Sequence, residues 1–238
     1  MGNIWAIGKR EFASFFNSPI AYFAITVFLF AMGALFFWQR EFIENGQATL
    51  RPFFELAPWL FIGLLPAISM RLVSEEKRTG SLEMLITMPV RDSELVLGKL
   101  LGAVLFLVVT LLLTTAYPLT IRAFGSLDMG PVIGGYIGLL LVGIAFLSVG
   151  LMASVWTKNQ IVAFLLAAFL CGFLYSFDML LGVFSQGLRD ALASFSMRDH
   201  FETIAKGVLD SRGIVYYLSI TVFSVIIGTY SLESRRWT

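Results

Sequence analysis

The chain has 238 residues, of which 58% are hydrophobic and only 14% charged, with a net charge of +1 and a mean hydropathy of +0.82. Soluble domains carry about 25% charged residues, so this composition excludes an ordinary soluble protein. The near-neutral balance gives no support to a nucleic-acid-binding surface. An all-α integral membrane protein remains, read as a single domain over residues 1–238.

In chain order, the first unit runs from Ile4 to Phe16. A helical wheel puts Ile4, Trp5, Gly8, Phe12, Phe15 and Phe16 on one face, Arg10 and Ser14 opposite, and Lys9 at the edge, where its ammonium can reach water. Such a helix is expected to lie in the plane of the membrane interface. Its pattern is not that expected of a cleavable signal. Ser18-Pro19 breaks this helix and starts the first span.

Six spans are expected, at Ile20–Trp38, Leu56–Val73, Leu100–Ile121, Val132–Trp156, Ile161–Met179 and Ile214–Leu232. Each has the ~17–25 residues that a hydrocarbon core of about 30 Å requires. The runs are continuously apolar, which excludes the alternating pattern of a membrane β-barrel. Pro66, with Gly63, should bend the second span, because proline removes a backbone hydrogen bond. Thr110, Thr114 and Thr115 in the third span and Ser148 and Ser154 in the fourth are expected to make interhelical hydrogen bonds. Gly135, Gly138, Gly143 and Gly150 suit close helix packing.

The segment after the second span, residues 74–99, is charged and patterned. Glu75, Glu76, Lys77 and Arg78 come first, Gly80 and Ser81 follow, and Leu82, Glu83, Leu85 and Ile86 make an apolar half closed by Pro89. This is the punctuation of a short helix on a membrane surface. A partner can grip such a helix, so the segment points to force transmission rather than chemistry.

Between Leu180 and Gly213 two short amphipathic helices are expected. Leu188, Ala191, Leu192 and Phe195 have helical spacing, and Asp199 is read as the N-cap of the second helix, with Glu202 three residues on. Phe201, Ile204, Ala205 and Val208 form its apolar face, so the pair either dips into the leaflet or covers the bundle. Basic residues near span ends place both termini in the cytoplasm and this pair outside.

The chain offers little catalytic equipment. His200 is the only histidine, and it reads as part of a solvated helix start rather than a metal ligand. Cys171 is alone in an apolar run and reads as a core residue. No span carries paired carboxylates or an intramembrane cation, which argues against a proton-coupled carrier. No phosphate-binding loop is present, so the chain is not expected to hydrolyse ATP.

The amphipathic elbow, the six spans and the run Glu-Glu-Lys-Arg-Thr-Gly-Ser-Leu-Glu-Met-Leu at 75–85, followed by Pro89-Val90-Arg91 and Leu97-Gly98-Lys99-Leu100-Leu101, resemble the type-2 ABC transporter permeases. His200-Phe201-Glu202, the stretch from Lys206 to Arg212 and Tyr216-Tyr217-Leu218 resemble the branch named after gliding-motility permeases. The resemblance implies a six-transmembrane-helix ABC-2 permease fold with an N-terminal elbow and short extracytoplasmic helices before the last span. It implies a multi-pass protein of the cell inner membrane, paired with a second identical or related permease copy. It also implies two ABC ATPase subunits that bind ATP and Mg, this chain holding no cofactor or metal of its own. A further subunit with a large extracytoplasmic domain often accompanies this branch.

On this reading Glu75, Glu76, Lys77 and Arg78 extend the second span into water, Gly80-Ser81 lets the chain turn, and Leu82, Leu85 and Ile86 face the ATPase. Trp5, Lys9, Arg10, Phe12 and Phe16 form the elbow surface, and Phe195, Asp199, His200, Phe201 and Glu202 belong to the extracytoplasmic helices. Two other functions compete with an ATP-driven transporter or envelope machine. A structural anchor would recruit an ATPase without moving substrate, and a secondary carrier would show broken-helix inverted repeats. No clear internal repeat is present.

Overall fold

The structure is a computed structural model that describes residues 2–38, 49–81, 91–125, 127–181, 195–208 and 210–234. The described residues form ten helices: α1 (Gly2–Phe16), α2 (Pro19–Trp38), α3 (Arg51–Ser69), α4 (Arg71–Thr79), α5 (Asp92–Thr114), α6 (Ala116–Phe124), α7 (Met129–Trp156), α8 (Gln160–Leu181), α9 (Met197–Ala205) and α10 (Ser211–Glu233). Six of the helical stretches are long and apolar enough to cross a membrane, with α3–α4 and α5–α6 each counting as one.

Two spans are jointed: the third, which was expected to be continuous, and the second, whose expected bend at Pro66 is displaced. The third breaks at Thr115, three residues before Pro118, whose missing N–H opens the helical ladder there. The second breaks at Met70 rather than at Pro66 itself. Met70 N–H still reaches the Pro66 carbonyl at 2.8 Å. Beyond it the ladder is rewired by a side chain from another helix. Ser154 of α7 accepts from Val73 N–H at 3.0 Å and Ser74 N–H at 2.9 Å, and its own hydroxyl donates to the Met70 carbonyl at 2.9 Å. A hydroxyl inserted into the i→i−4 ladder is a recognised cause of a helix break.

The central helix is α7, and glycine lets its neighbours come close. Gly135 lies under the ring of Phe54, Gly143 under Leu107 and Gly150 under Ser69. These pairings give the directions: α3 and α4 run parallel to α7, while α5 and α8 run antiparallel to it, Cys171 of α8 facing the Phe146 carbonyl. Trp156 Nε1 donates to Ser231 Oγ at 3.1 Å and Gly228 lies against Met152, so α10 runs parallel to α7. The end of α4 and the end of α10 therefore stand at one end of the bundle, and the starts of α3, α7 and α10 stand at the other. Apolar side chains on α2, α8 and α10, such as Phe23, Phe30, Leu165, Phe169, Phe223 and Ile226, are exposed and suit lipid contact.

The interhelical role expected of the hydroxyl residues holds for some of them. Ser154 bridges helices as described, and Thr114 reaches the Tyr136 hydroxyl at 3.2 Å. Thr110, Thr115 and Ser148 instead donate to carbonyls one turn back on their own helices.

Candidate coupling site

The α4 end of the bundle holds the most unusual chemistry. Helix α1 packs along the first half of α5 in parallel register. Asn3 donates to Glu94 at 3.2 Å, Ile7 lies against Gly98, Gly8 against Leu101, and Phe15 and Phe16 stand 5.5 and 6.0 Å from Phe106. A Cβ on Gly98 would meet Ile7 Cβ at 2.7 Å, and one on Gly102 would meet Glu11 Cβ at 2.7 Å and the Gly8 carbonyl at 3.0 Å. Small residues one turn apart bring the two backbones together. Over some twelve residues, about 18 Å, α1 follows the direction of a spanning helix, whereas the sequence suggested a helix lying across the spans. The packed face also differs. It is Ile4, Ile7, Gly8, Glu11 and Phe15, with Trp5, Lys9 and Arg10 exposed and Phe12 and Phe16 at its edge, their rings 5.0 Å apart.

This packing carries Glu11 into the bundle, where it meets Lys99. The Lys99 side chain is 1% exposed, and its Nζ donates to Glu11 Oε1 at 3.1 Å and to Glu76 Oε1 at 2.7 Å. Three helices, α1, α4 and α5, thus meet at one buried ammonium. Two carboxylates against one cation leave a formal charge of −1, with Arg10 the other cation acting on Glu76. Glu76 Oε2 is buried without a hydrogen-bond partner among the described residues. A buried charge is tolerated only when paired and hydrogen-bonded, so the cluster holds the helices in a defined arrangement.

Helix α4 has two further attachments to α7. One is the Ser154 bridge at its start. The other is Lys77, whose Nζ donates to the Val155 carbonyl. The expectation that Glu76 and Lys77 extend the span into water is therefore corrected: both turn inward because α5 and α7 present a cation and a free helix-end carbonyl at that level. Glu75 pairs with Arg71 at 2.8 Å, and Arg78 is exposed. Thr79 and Ser81 share a hydrogen bond at 2.9 Å, and Gly80, at φ 74°, ends α4 in the left-handed region where glycine is favoured. Leu82, Glu83, Leu85 and Ile86 lie outside the described residues.

At the opposite end, α9 starts earlier than expected. Its N-cap is Ser196, whose hydroxyl accepts from Asp199 N–H at 3.1 Å, so Asp199 sits in the first turn instead of capping. Glu202 pairs with Arg198 at 3.0 Å rather than closing a capping box. Phe201 and Ile204 are buried against Gly138 and Gly134 of α7, so α9 covers the bundle end, while Phe195 and Val208 are exposed. Gly207, at φ 87°, turns the chain away before Val208 can join the apolar face. The His200 ring lies 4.9 Å from that of Tyr216, tilted by 36°. The helix expected around Leu188–Leu192 lies outside the described residues.

Glu11, Lys99 and Ser154 are the residues of this site that sequence reasoning did not single out as a group. The legible signal was Gly98-x-x-x-Gly102 around Lys99, with Gly8 and Glu11 on one stripe of α1.

Among the described residues no group of three His, Cys, Asp or Glu stands close enough to hold a metal ion. The site is a short polar helix tied to three others at one end of an apolar bundle. A comparison with curated proteins returns no match. The family model for ABC-2 family transporter proteins matches residues 45–197, which takes in α3, α4, α5, α6, α7 and α8. With that match over most of its length and six helices fit to cross a membrane, the chain belongs to the ABC-2 transporter family, the membrane permease components of ABC transporters.

Proposed function

We propose that this chain is the permease subunit that converts ATP hydrolysis by a separate ABC ATPase into transport or mechanical work across the inner membrane. The observation that carries the reading is the threefold attachment of α4, to α1 and α5 through Lys99 and to α7 through Ser154 and Lys77. A lever tied to three helices moves them together. The segment 82–90 that follows α4 is the surface gripped by the ATPase, with Leu82, Leu85 and Ile86 as its apolar contacts and Glu83 beside them. ATP and Mg belong to the ATPase, and the permease itself is non-catalytic.

The functional unit pairs two permease copies, identical or related, above two ATPase subunits. Both termini are cytoplasmic, which agrees with the basic residues Lys9, Arg10, Arg71, Lys77, Arg78, Arg91 and Lys99 at that end. The tail motifs around His200 and Lys206 support the gliding-motility-like branch and an extracytoplasmic partner subunit.

Leu85→Asp tests the proposal. Burying an unpaired carboxylate in an apolar groove costs several kcal/mol, and about 1.4 kcal/mol is tenfold in affinity. Co-purification with the ATPase should fall by orders of magnitude while the size-exclusion profile of the permease stays that of the wild type. Full ATPase binding and activity with Leu85→Asp would refute the assignment.

A further inference from the structure

At the end of the bundle away from α4, the starts of α3 and α7, the later part of α8 and helix α9 enclose a cavity of about 260 Å³. That is close to the lower end of the ~300–1,000 Å³ range of small-molecule pockets and suits a head group with its first carbons rather than a whole lipid. Phe54, Val132 and Phe201 give it an apolar wall. Tyr175 also lines it, and this residue is only 2% exposed. Its ring is fixed edge-on to Trp59 at 5.3 Å. Its hydroxyl makes no hydrogen bond among the described residues, and the charged groups acting on it are Arg198, Glu202 and Glu55, all on the cavity wall.

The wall charges balance. Arg51, Arg198 and Lys206 stand against Glu55, Glu202 and Asp128. Arg51 meets Glu55 at 2.8 Å and Arg198 meets Glu202 at 3.0 Å, each through Nε alone. The Nη groups make no hydrogen bond among the described residues and keep their donors for another acceptor. Such i,i+4 pairs are weak when partly solvated, so a ligand that offers both signs can exchange with them. An arginine fork matches a phosphate, and the freed carboxylates match an ammonium. A purely anionic ligand would draw the arginines from Glu55 and Glu202 and leave those carboxylates without a counter-charge.

We infer that this cavity binds the head group of a zwitterionic phospholipid, a phosphate joined to a primary ammonium. Arg198 and Arg51 hold the phosphate, Glu202 and Glu55 accept from the ammonium, and the Tyr175 hydroxyl donates to a phosphate or ester oxygen. The inference does not depend on ATPase coupling.

Titration of the purified chain in detergent with a short-chain phosphatidylethanolamine, read by tryptophan fluorescence with Trp59 beside the site, tests it. The controls are a short-chain phosphatidic acid, which lacks the ammonium, and an alkyl glucoside of the same chain length. The expected result is saturable binding of the phosphatidylethanolamine, at least fivefold weaker binding of the phosphatidic acid, and no saturation with the glucoside. Tyr175→Phe should weaken binding about fivefold and Arg198→Gln about tenfold, with unchanged melting temperatures. Equal binding of all three compounds would mean simple partitioning and would overturn the inference. So would tighter binding of the phosphatidic acid, or an unchanged affinity in both variants. The comparison of head groups on the wild-type chain stands even where a variant fails to fold.

Discussion

Replacing Lys99 with methionine removes the ammonium and keeps most of the stem, so little cavity is left behind. Two carboxylates, Glu11 and Glu76, with side chains only 16% and 18% exposed, then face each other with no cation between them. Removing one partner of a buried ion pair costs about 3–5 kcal/mol. For a chain of this size each kcal/mol lowers the melting temperature by about 2–4 °C, so Lys99→Met should lose about 6–20 °C. Glu11→Gln behaves differently. It removes one of two carboxylates and leaves Lys99 paired one-to-one with Glu76, so the change should stay within about 1 kcal/mol. Methionine at all three positions should recover most of the loss, because a buried ion cluster replaced whole by apolar side chains is often neutral. The assay is thermal unfolding of the detergent-solubilised permease, followed by recovery of the monodisperse peak. A shift under about 2 °C for Lys99→Met, or a loss for Glu11→Gln as large as for Lys99→Met, would refute the idea that Lys99 is the hub.

Other substitutions probe the packing that holds the cluster. Gly102→Ala should push α1 off α5, because the new methyl meets Glu11 Cβ and the Gly8 backbone. The expected cost is about 1–3 kcal/mol, seen as a lower melting temperature and faster proteolysis of the N-terminal helix. Gly134→Ala should displace α9, since the methyl collides with the Ile204 carbonyl, whereas Gly63→Ala, with nothing within 4 Å, should leave stability unchanged. Ser154→Ala strands the Val73 and Ser74 N–H groups and should cost about 1–3 kcal/mol, with faster amide exchange confined to residues 70–75.

The six spans were readable from hydropathy because a membrane helix must satisfy its own backbone and cover about 30 Å with apolar side chains whatever its neighbours are. The joints were less readable. Pro66 drew attention, yet the second span opens at Met70, because a hydroxyl 84 residues away in sequence competes for the ladder there. Pro118 gave a local signal for the break at Thr115 that a hydropathy run hides. The charge cluster was the hardest to see. Glu11, Glu76 and Lys99 each look like a solvated charge at a span end, and only the approach of α1 to α5 over Gly98 and Gly102 draws them together. The start of α9 turned on a choice between two good N-caps three residues apart, Ser196 and Asp199. Burial of Met197, which must lie inside the helix to reach the core, decided for Ser196.

In the proposed mechanism, movement of an ATPase reaches the spans through α4 and its tie to α1. The most direct measurement is ATP turnover by the ATPase subunit reconstituted with the permease in proteoliposomes, comparing the wild type with Glu11→Met. This variant cuts the α1 link and keeps the 2.7 Å contact between Lys99 and Glu76. Glu11→Met should give the same yield of assembled complex and at least a fivefold loss of permease-dependent turnover, a barrier change of about 1 kcal/mol. Wild-type turnover from a fully assembled Glu11→Met complex would contradict it.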